Sequence, residues 1–351
     1  MSINNVISKL RSKVDLNEED LSIIFHNFEE KNINSEDIKN LVLSWREKGE
    51  SAFEICHLVE LINKKQGQST VYKNTIDMCG TGGDKLNTFN ISTLAAIVTS
   101  SCGSSVIKHS GRSTTSTTGS VDILSQFKFD IDTKNEIKEH CFKKTNLMFT
   151  SSKILRELFA DVKKICQEAN IPGFVNLLGP LTNPYKTSHH ILGVSNLKWG
   201  TLMASSLKSL GSSDSLVLCC RISENIFMDE LSFCGDNYLW KLVNGVIKEE
   251  VITPSDFNMK IEDVSTLVIK DKAEGKTIFE DILKGNLSNK TTSKATVIAL
   301  NTGAALYLTK KVKSIFEGYN IALQHIKSGR SWEHFQNFLN CMKGVHDFTD
   351  K

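Results

Sequence analysis

A glycine-rich turn between a short strand and a helix constrains the fold of this chain more than any other stretch. The segment from Asp77 to Thr93 reads Asp-Met-Cys-Gly-Thr-Gly-Gly-Asp-Lys-Leu-Asn-Thr-Phe-Asn-Ile-Ser-Thr, and the apolar run Leu94–Val98 follows it. Glycine lets a backbone approach a ligand closely, and the unpaired N–H groups of a helix N-terminus attract anions. The segment lacks the Lys-Ser/Thr ending of a Walker A loop and the third spaced glycine of a GxGxxG loop. It predicts a phosphate cradle of another type, or else a plain turn in which Asn90 or Ser92 caps the helix.

The two parts of the chain on either side of about residue 70 have different patterns. Residues 1–68 carry apolar side chains at helical spacing behind capping residues, which predicts a small all-helical domain. From Thr75 onward short apolar strands alternate with helices, and this alternation is typical of an α/β domain, here residues 69–351. Lys153–Ala169 predicts one long amphipathic helix, and Asn176–Pro184 predicts a loop.

Length, charge and cysteine usage exclude several classes of protein. The 351 residues are 40% hydrophobic and 23% charged, which suits a globular chain of one large and one small domain. A formal net charge of +2 gives no global field for nucleic acid or an acidic membrane, and no segment approaches a membrane span. Nine scattered cysteines without a CxxC pair favour thiols in a reducing compartment. We expect a cytoplasmic protein without a nucleic-acid or membrane partner.

A second polar stretch joins two cations to a dense run of hydroxyl groups. Lys108-His109-Ser110-Gly111-Arg112 leads into Ser-Thr-Thr-Ser-Thr-Thr-Gly-Ser and a further apolar helix. Fixed cations and hydroxyl groups before a helix suit a polyanionic ligand, although a solvated Ser/Thr loop would have the same composition.

A pair of adjacent carboxylates, Asp229 and Glu230, is the third chemical feature. At a strand end both side chains can reach Mg²⁺, which takes oxygen ligands and keeps some of its waters. Such a pair is also common on solvated surface, so the pair alone leaves both interpretations open.

Taken together and in this order, these segments resemble the anthranilate phosphoribosyltransferases of tryptophan biosynthesis, within the nucleoside phosphorylase and phosphoribosyltransferase superfamily. The resemblance covers nearly the whole chain and lies in five ordered motifs: Gly80–Thr93, Lys108–Asp122, Phe174–Pro184, Asp229-Glu230 and Asn301–Tyr307.

The resemblance implies a fold, a reaction and an assembly. The fold is a small helical domain, on which part of about 153–185 packs, and a larger α/β domain with a mixed central sheet. The reaction is displacement of pyrophosphate from 5-phosphoribosyl 1-diphosphate by an aromatic amine, anthranilate, with Mg²⁺ as cofactor. The assembly is a homodimer formed through the helical part.

The resemblance also implies roles for individual residues. Lys108, His109 and Arg112 are implied in catalysis, with His109 open between a substrate contact and a structural histidine. Ser92, Asp229 and Glu230 are implied as metal ligands. The implied substrate-binding residues are Gly80, Thr81, Gly82, Gly83, Asp84, Thr88, Asn90, Ile91, Ser92, Thr93, Lys108, Gly111, Ser116, Ser120, Lys163 and Lys164, together with Arg112 for the sugar diphosphate.

The side that would bind the aromatic acceptor departs from the family pattern. Gly111 stands where the family has an asparagine, and Lys163-Lys164 stand where it has two arginines, whereas an ungapped alignment places Cys166 or Gln167 there. Lysine is a point charge and cannot reproduce the bidentate arginine fork.

Four interpretations therefore stay open. The first is an anthranilate enzyme with a diverged pocket, and the second is a paralogue with another aromatic or heterocyclic acceptor. The third is a pyrimidine nucleoside phosphorylase, since such enzymes also use a Lys-His-Ser loop. The fourth is a non-catalytic binding protein that keeps the fold.

Overall fold

The computed structural model describes residues 2–67, 71–111 and 119–349, with side chains up to residue 343. Four helices form the N-terminal region: α1 Ile3–Arg11, α2 Glu18–Glu29, α3 Ser35–Lys48 and α4 Ala52–Gln66. Side-chain caps start three of them, because Asn17, Asn34 and Ser51 each accept a hydrogen bond from a backbone N–H of the first turn.

One buried carboxylate ties these helices together. Glu54 accepts hydrogen bonds from the backbone N–H of Leu16 at 2.8 Å and from Trp45 Nε1 at 3.0 Å, and it pairs with Lys48. A buried charge is stable only when its lone pairs are occupied in this way.

A mixed sheet of eight strands forms the second part of the molecule. The strands are β1 Val71–Gly80, β2 Ser105–His109, β3 Leu147–Thr150, β4 Lys186–Gly193, β5 Asp214–Ser223, β6 Ile226–Met228, β7 Asp236–Val243 and β8 Val246–Ile252. Their order is β3-β2-β1-β4-β5-β7-β8, with β6 paired to β5. The first five strands in this order are parallel, whereas β6, β7 and β8 pair antiparallel. The parallel strands place the carboxyl ends of β1, β2 and β4 at one edge.

The remaining helices cover the sheet or join the N-terminal helices. They are α5 Ile91–Ser101, α6 Ser120–Ser125, α7 Asn135–Thr145, α8 Lys153–Leu158, α9 Ala160–Glu168, α10 Val175–Leu178, α11 Lys198–Ser209, α12 Lys272–Lys284, α13 Thr292–Leu308, α14 Ile315–Lys327 and α15 Arg330–Thr349. The described residues also contain three 3₁₀ turns: Gly179–Leu181, Pro254–Phe257 and Val264–Leu267. In the described part of the chain, no helix combines the length and the apolar character that crossing a membrane requires.

Two large hydrophobic cores lie on opposite sides of the sheet. One contains α5, α13 and one face of β1, β2 and β5. The other joins the N-terminal helices to Phe159 and Phe174 and continues to Val217 and Trp240 of the sheet. The α/β fold class, with a helical N-terminal region and a mixed sheet, is therefore confirmed. The domain boundary at residues 68 and 69 stays a prediction.

Two local predictions were wrong. The long helix Lys153–Ala169 is interrupted at Phe159, where the backbone leaves helical geometry with ψ near 24°. The interruption lets the Phe159 ring pack against Phe28 and Phe174, at centroid distances of 4.9 and 5.6 Å. Most of the expected loop Asn176–Pro184 is instead helical, as α10 and the following 3₁₀ turn, because Leu177, Leu178 and Leu181 are buried.

Candidate active site

The glycine loop leaves β1 at Gly80 and enters α5 at Ile91. Gly82 and Gly83 have φ angles of +64° and +84°, which side-chain-bearing residues rarely adopt. The N–H of Gly82 donates to Asp229 Oδ2 at 2.8 Å. The loop and the first carboxylate of the acidic pair are thus in direct contact, although 147 residues separate them in the chain.

Two glycines make room for Asp229 at this edge of the sheet. A Cβ atom on Gly80 would lie 2.3 Å from Asp229 Oδ2, and one on Gly193 would lie 1.7 Å from the Asp229 carbonyl oxygen. Both distances are far below van der Waals contact. Any residue other than glycine at these two positions would therefore clash with Asp229 where it now lies.

Gly193→Ala is therefore expected to destabilise the protein by about 3 kcal/mol or more, because its contact is with backbone that cannot rotate away. Urea unfolding followed by circular dichroism measures this loss. Gly275→Ala is the matched control, since a Cβ at this helical glycine meets only the movable Cδ1 end of Ile269, at 3.1 Å, and it should change stability by no more than about 1 kcal/mol. Equal unfolding midpoints for the two variants would contradict the steric argument.

Within the described residues, no side-chain hydrogen bond caps the N-terminus of α5. Asn90 occupies the cap position, but its side chain does not cap the helix. Ser92 and Thr93 follow in the first turn, and Thr93 Oγ1 donates to Ser120 Oγ at 2.8 Å. The helix has 11 residues, and its N-terminus, with these hydroxyl groups beside it, suits a phosphate group.

Three carboxylates gather around the loop and disfavour one another's charge. Burial and the nearby charge of Asp229 raise the pKa of Asp84. Burial and the charges of Asp229 and Asp84 raise the pKa of Glu230 to about 8, against the opposing effects of Lys108 and Ser92. Burial also raises the pKa of Asp229, although the Gly82 N–H and Lys108 act in the other direction. Carboxylates at this density either take up protons or stay ionised beside a cation.

The donor set fits Mg²⁺ held partly by water and substrate. Asp229, Glu230 and Ser92 offer oxygen ligands, the type that Mg²⁺ prefers. The ligand atoms of the three carboxylates do not all lie within 4.8 Å of one another; among the described residues only the exposed His26, Glu29 and Glu30 meet that limit. An open arrangement of this kind leaves room for waters and phosphate oxygens, as Mg²⁺ sites commonly do.

Lys108 is a fully buried cation beside the loop. Its Nζ donates to the Met78 carbonyl and, at 3.1 Å, to Ser92 Oγ. A lysine has three N–H donors, and the described residues engage two of them, which leaves one for a phosphate oxygen.

Asp77 and Asn183 support this strand end, and neither was among the site residues predicted from the sequence. Asp77 accepts from the His109 N–H and from Asn183 Nδ2, each at 2.8 Å, and Asn183 Nδ2 also reaches the Ile107 carbonyl at 3.0 Å. Burial raises the pKa of Asp77, while the nearby charge of Lys108 lowers it. A carboxylate inside the apolar run Ile76–Met78 was the available signal, because an acidic residue in a central strand needs a partner.

His109 packs within the protein. Its Nε2 accepts from the Ser152 N–H at 2.9 Å, and burial lowers its pKa to about 4, with Lys108 and Arg156 adding to the effect. The ring is therefore neutral at physiological pH and holds the start of α8. This geometry favours the structural interpretation of His109 over a substrate contact.

The lowered pKa of His109 predicts a pH dependence of stability. The unfolded chain takes up the proton near pH 6.5, whereas the folded protein takes it up near pH 4, so the free energy of unfolding falls as the pH falls through this window. Between pH 7 and pH 4 wild type should lose up to about 3 kcal/mol more than His109→Gln. Urea titrations at several pH values measure this difference. If the free energy of unfolding of the two proteins had the same pH dependence, the prediction would be contradicted. Burial also lowers the pKa of His190 to about 4, but His190 is present in both proteins and contributes equally to both pH dependences.

Some predicted substrate residues do not join the cradle. Ile91 supports the core, since its side chain is buried and its N–H donates to the Phe89 carbonyl. Thr88 forms a bridge with Val268 at the outer part of the loop. Gly111 is exposed at the end of β2. Arg112 and Ser116 lie outside the described residues.

The two lysines predicted for the acceptor carboxylate lie on α9. Lys163 is half-buried and Lys164 is exposed, while the buried side of this helix, with Val162 and Cys166, packs into the N-terminal core. No hydrogen bond or ion pair joins Lys164 to the glycine loop within the described residues. Within the described residues the structure brings Gly82, Asp229 and Lys108 of the predicted phosphate side together, whereas the acceptor role of the two lysines stays a prediction.

Comparisons with known proteins agree with this geometry. A sequence model described as "Glycosyl transferase family, a/b domain" matches residues 72–332. The anthranilate phosphoribosyltransferase of Chloroherpeton thalassium is 32% identical over 294 residues, which cover 84% of this chain and 85% of that protein. The corresponding protein of a Marinomonas species is 30% identical and covers 94% of each chain. This chain belongs to the anthranilate phosphoribosyltransferase family.

Solved structures of family members have the same fold. The Thermus thermophilus member superposes with a TM-score of 0.81 at 24% identity, over 96% of this chain and 99% of that one. The Saccharomyces cerevisiae member, solved in complex with PRPP and Mg, gives a TM-score of 0.82 at 23% identity, over 97% and 98%. The family resemblance in the sequence is confirmed, and with it the assignment to the phosphoribosyl-transferring enzymes.

Proposed function

We propose that this protein transfers the phosphoribosyl group of 5-phosphoribosyl 1-diphosphate to anthranilate and releases pyrophosphate. The observation that carries the proposal is the contact of Gly82 with Asp229, which joins an open helix N-terminus to a cluster of carboxylates in a chain of this family. A loop that binds phosphate and acids that bind a cation are the two parts that a sugar diphosphate requires.

The residues of the cradle act by positioning and charge stabilisation. The transition state is a ribosyl cation that separates from a highly charged leaving group, so groups fixed in place before the reaction supply most of the rate. The free N–H of Lys108 Nζ and the N–H groups at the start of α5 neutralise the leaving pyrophosphate. Mg²⁺, held by Asp229, Glu230 and Ser92, supplies further charge neutralisation when bound. The amine of the acceptor has its own lone pair, so no general base is required of His109.

A different aromatic or heterocyclic acceptor is the second candidate. Gly111 offers no side chain to an acceptor, and Lys164 is exposed on α9, with no hydrogen bond or ion pair to the loop within the described residues. These observations favour a recognition of the acceptor that differs from a bidentate arginine clamp. The clustered carboxylates argue against a nucleoside phosphorylase, which needs no metal ligands.

We further propose a cytoplasmic homodimer formed through the helical part. The cysteines are free thiols, which suits a reducing compartment. Val14, Leu43 and Phe53 are exposed apolar residues of the helical region, with between 43% and 51% of their surface accessible. Sedimentation velocity measures the mass in solution, and a monomer at micromolar concentration would reject the dimer.

The activity is tested by mixing the protein with 5-phosphoribosyl 1-diphosphate, Mg²⁺ and anthranilate and following the loss of anthranilate fluorescence. Loss that depends on all three components supports the proposal. No loss, together with calorimetric binding of the sugar diphosphate, would favour the second candidate. Release of free base from uridine with phosphate would instead identify a phosphorylase.

A further inference from the structure

The backbone N–H and carbonyl groups of Thr81 and Gly82 are all hydrogen-bonded. The Thr81 N–H donates to the Gly193 carbonyl at 2.9 Å, and the Gly82 N–H donates to Asp229. The Thr81 carbonyl accepts from Asn176 Nδ2 at 3.2 Å, and the Gly82 carbonyl accepts from Ser195 Oγ at 2.8 Å. All four backbone polar groups of these two residues thus have partners outside the loop, which fixes their orientation.

The backbone N–H groups in the next part of the loop have no such partners outside the loop among the described residues. Within the described residues, the N–H groups of Gly83 and Lys85 donate to no protein acceptor, and Leu86 N–H bonds only to Asp84 within the loop itself. These groups follow directly on the fixed peptides, so the direction in which they point depends on how Thr81 and Gly82 are held. Free backbone N–H groups beside a left-handed glycine form an anion-binding concavity.

Two of the outside partners are neutral side chains that take no part in the carboxylate cluster. Ser195 lies just beyond β4, where its backbone N–H also donates to Thr81 Oγ1 at 3.3 Å. Asn176 lies on α10, and its Oδ1 accepts from the Gly173 N–H at 3.2 Å. Both side chains donate to carbonyls of the loop.

We propose that Asn176 and Ser195 are positioning residues, which hold the glycine loop in the conformation that binds the diphosphate. The proposal rests on the function proposed above. The two side chains donate hydrogen bonds to the carbonyls of Thr81 and Gly82 and so fix the orientation of these peptides. This orientation directs the following N–H groups of the loop toward the ligand. They act through the loop and do not themselves contact the substrate.

Asn176 also links the loop to the helical part of the molecule. Its neighbours Leu177 and Leu178 are fully buried in the core that contains the N-terminal helices. Lys85 Nζ makes a second link to the same segment, through the Asn170 carbonyl at 3.4 Å. A displacement of α9 and α10 is therefore transmitted to the diphosphate-binding loop through Asn176.

The test compares Ser195→Ala and Asn176→Ala with a matched control. Ser188→Ala removes a hydroxyl that donates to the Thr75 carbonyl at 3.3 Å, in the same pair of strands but at their opposite end. Each loop variant is expected to raise the KM for 5-phosphoribosyl 1-diphosphate about tenfold, the effect of one lost hydrogen bond on a preorganised loop. The KM for the acceptor and kcat should change less than about twofold, because uniform binding of the diphosphate is what is lost.

A conservative substitution distinguishes a positioning role of the Ser195 hydroxyl from a general effect on the stability of the protein. Ser195→Thr keeps the hydroxyl and should restore the wild-type KM, while Ser188→Ala should leave it unchanged. Calorimetry with the sugar diphosphate and Mg²⁺ reports the same ranking without turnover.

Failure of this inference differs from failure of the proposed function. A wild-type protein that binds no sugar diphosphate would overturn the function itself. If wild type binds while Ser195→Ala and Asn176→Ala keep its KM and Kd, only the positioning roles are overturned. Should Asn176→Ala fail to fold, the pair Ser195→Ala and Ser195→Thr decides the question alone.

Discussion

The double variant Asp229→Asn with Glu230→Gln is expected to remain folded and to lose turnover by at least about a thousandfold, the scale of removing a charge-stabilising group from a transition state. Both carboxylates lie beside the phosphate loop, and burial raises the pKa of each. Amides of the same shape keep an oxygen for the Gly82 N–H but cannot neutralise a divalent cation. They also remove the repulsion between neighbouring acids, so the melting temperature should be equal to that of wild type or higher.

The fluorescence assay and thermal unfolding measure these two results together. Glu249→Gln with Glu250→Gln is the matched control, because these adjacent carboxylates lie on β8, where they bond to Trp240 and Lys241. That variant should keep wild-type turnover. Activity of the Asp229 and Glu230 variant within tenfold of wild type, at saturating Mg²⁺, would refute the assignment of these residues to the metal.

The phosphate side of the site could be predicted from the sequence because its parts are short and local. A strand, a glycine turn and a helix start occur within the segment from Asp77 to Thr93, and each has a recognisable composition. The distant Asp229 was placed beside them only through the ordered family motifs. Its contact with Gly82 depends on the pairing of β1, β4 and β5, which no local pattern specifies.

The supporting residues could not be predicted, because their roles exist only in three dimensions. Asn176 and Asn183 lie in a segment whose composition indicated a loop, yet their amides donate to distant backbone carbonyls, that of Thr81 in the glycine loop and that of Ile107 in β2. The neutral state of His109 likewise follows from burial near Ser152, 43 residues away. Sequence patterns give the type of a residue, whereas burial decides its charge.

The interruption of α8 and α9 at Phe159 is a tertiary effect of the same kind. The pattern of Lys153–Ala169 is continuous at helical spacing, but the Phe159 ring reaches the core only where the helix breaks. Packing of one aromatic ring among Phe28 and Phe174 therefore outweighs local helix propensity, which is worth only a few tenths of a kcal/mol per residue.

Replacing Lys108 by methionine is expected to lower kcat/KM for 5-phosphoribosyl 1-diphosphate by about 10²- to 10³-fold, the range found for loss of one preorganised donor. Methionine is close to the lysine stem in size and suits a side chain that is 1% exposed. The variant loses the cation that faces the diphosphate and the donor to Ser92. Asp77 would then lack the nearby charge that lowers its pKa, so the pKa of this carboxyl, which burial already raises, would rise further.

Lys294→Met is the control for this variant, since Lys294 is also buried and donates to a backbone carbonyl, that of Thr266, at 2.5 Å. It should change kcat/KM by less than about threefold, because its charge is directed at the Thr266 carbonyl and the Phe89 ring and not at the carboxylate cluster. Calorimetry adds a second readout, in which Lys108→Met weakens binding of pyrophosphate with Mg²⁺ whereas Lys294→Met does not. Equal affinities in the two variants would show that Lys108 acts on the fold alone, and the buried cation would then have to be explained by its bonds to Met78 and Ser92.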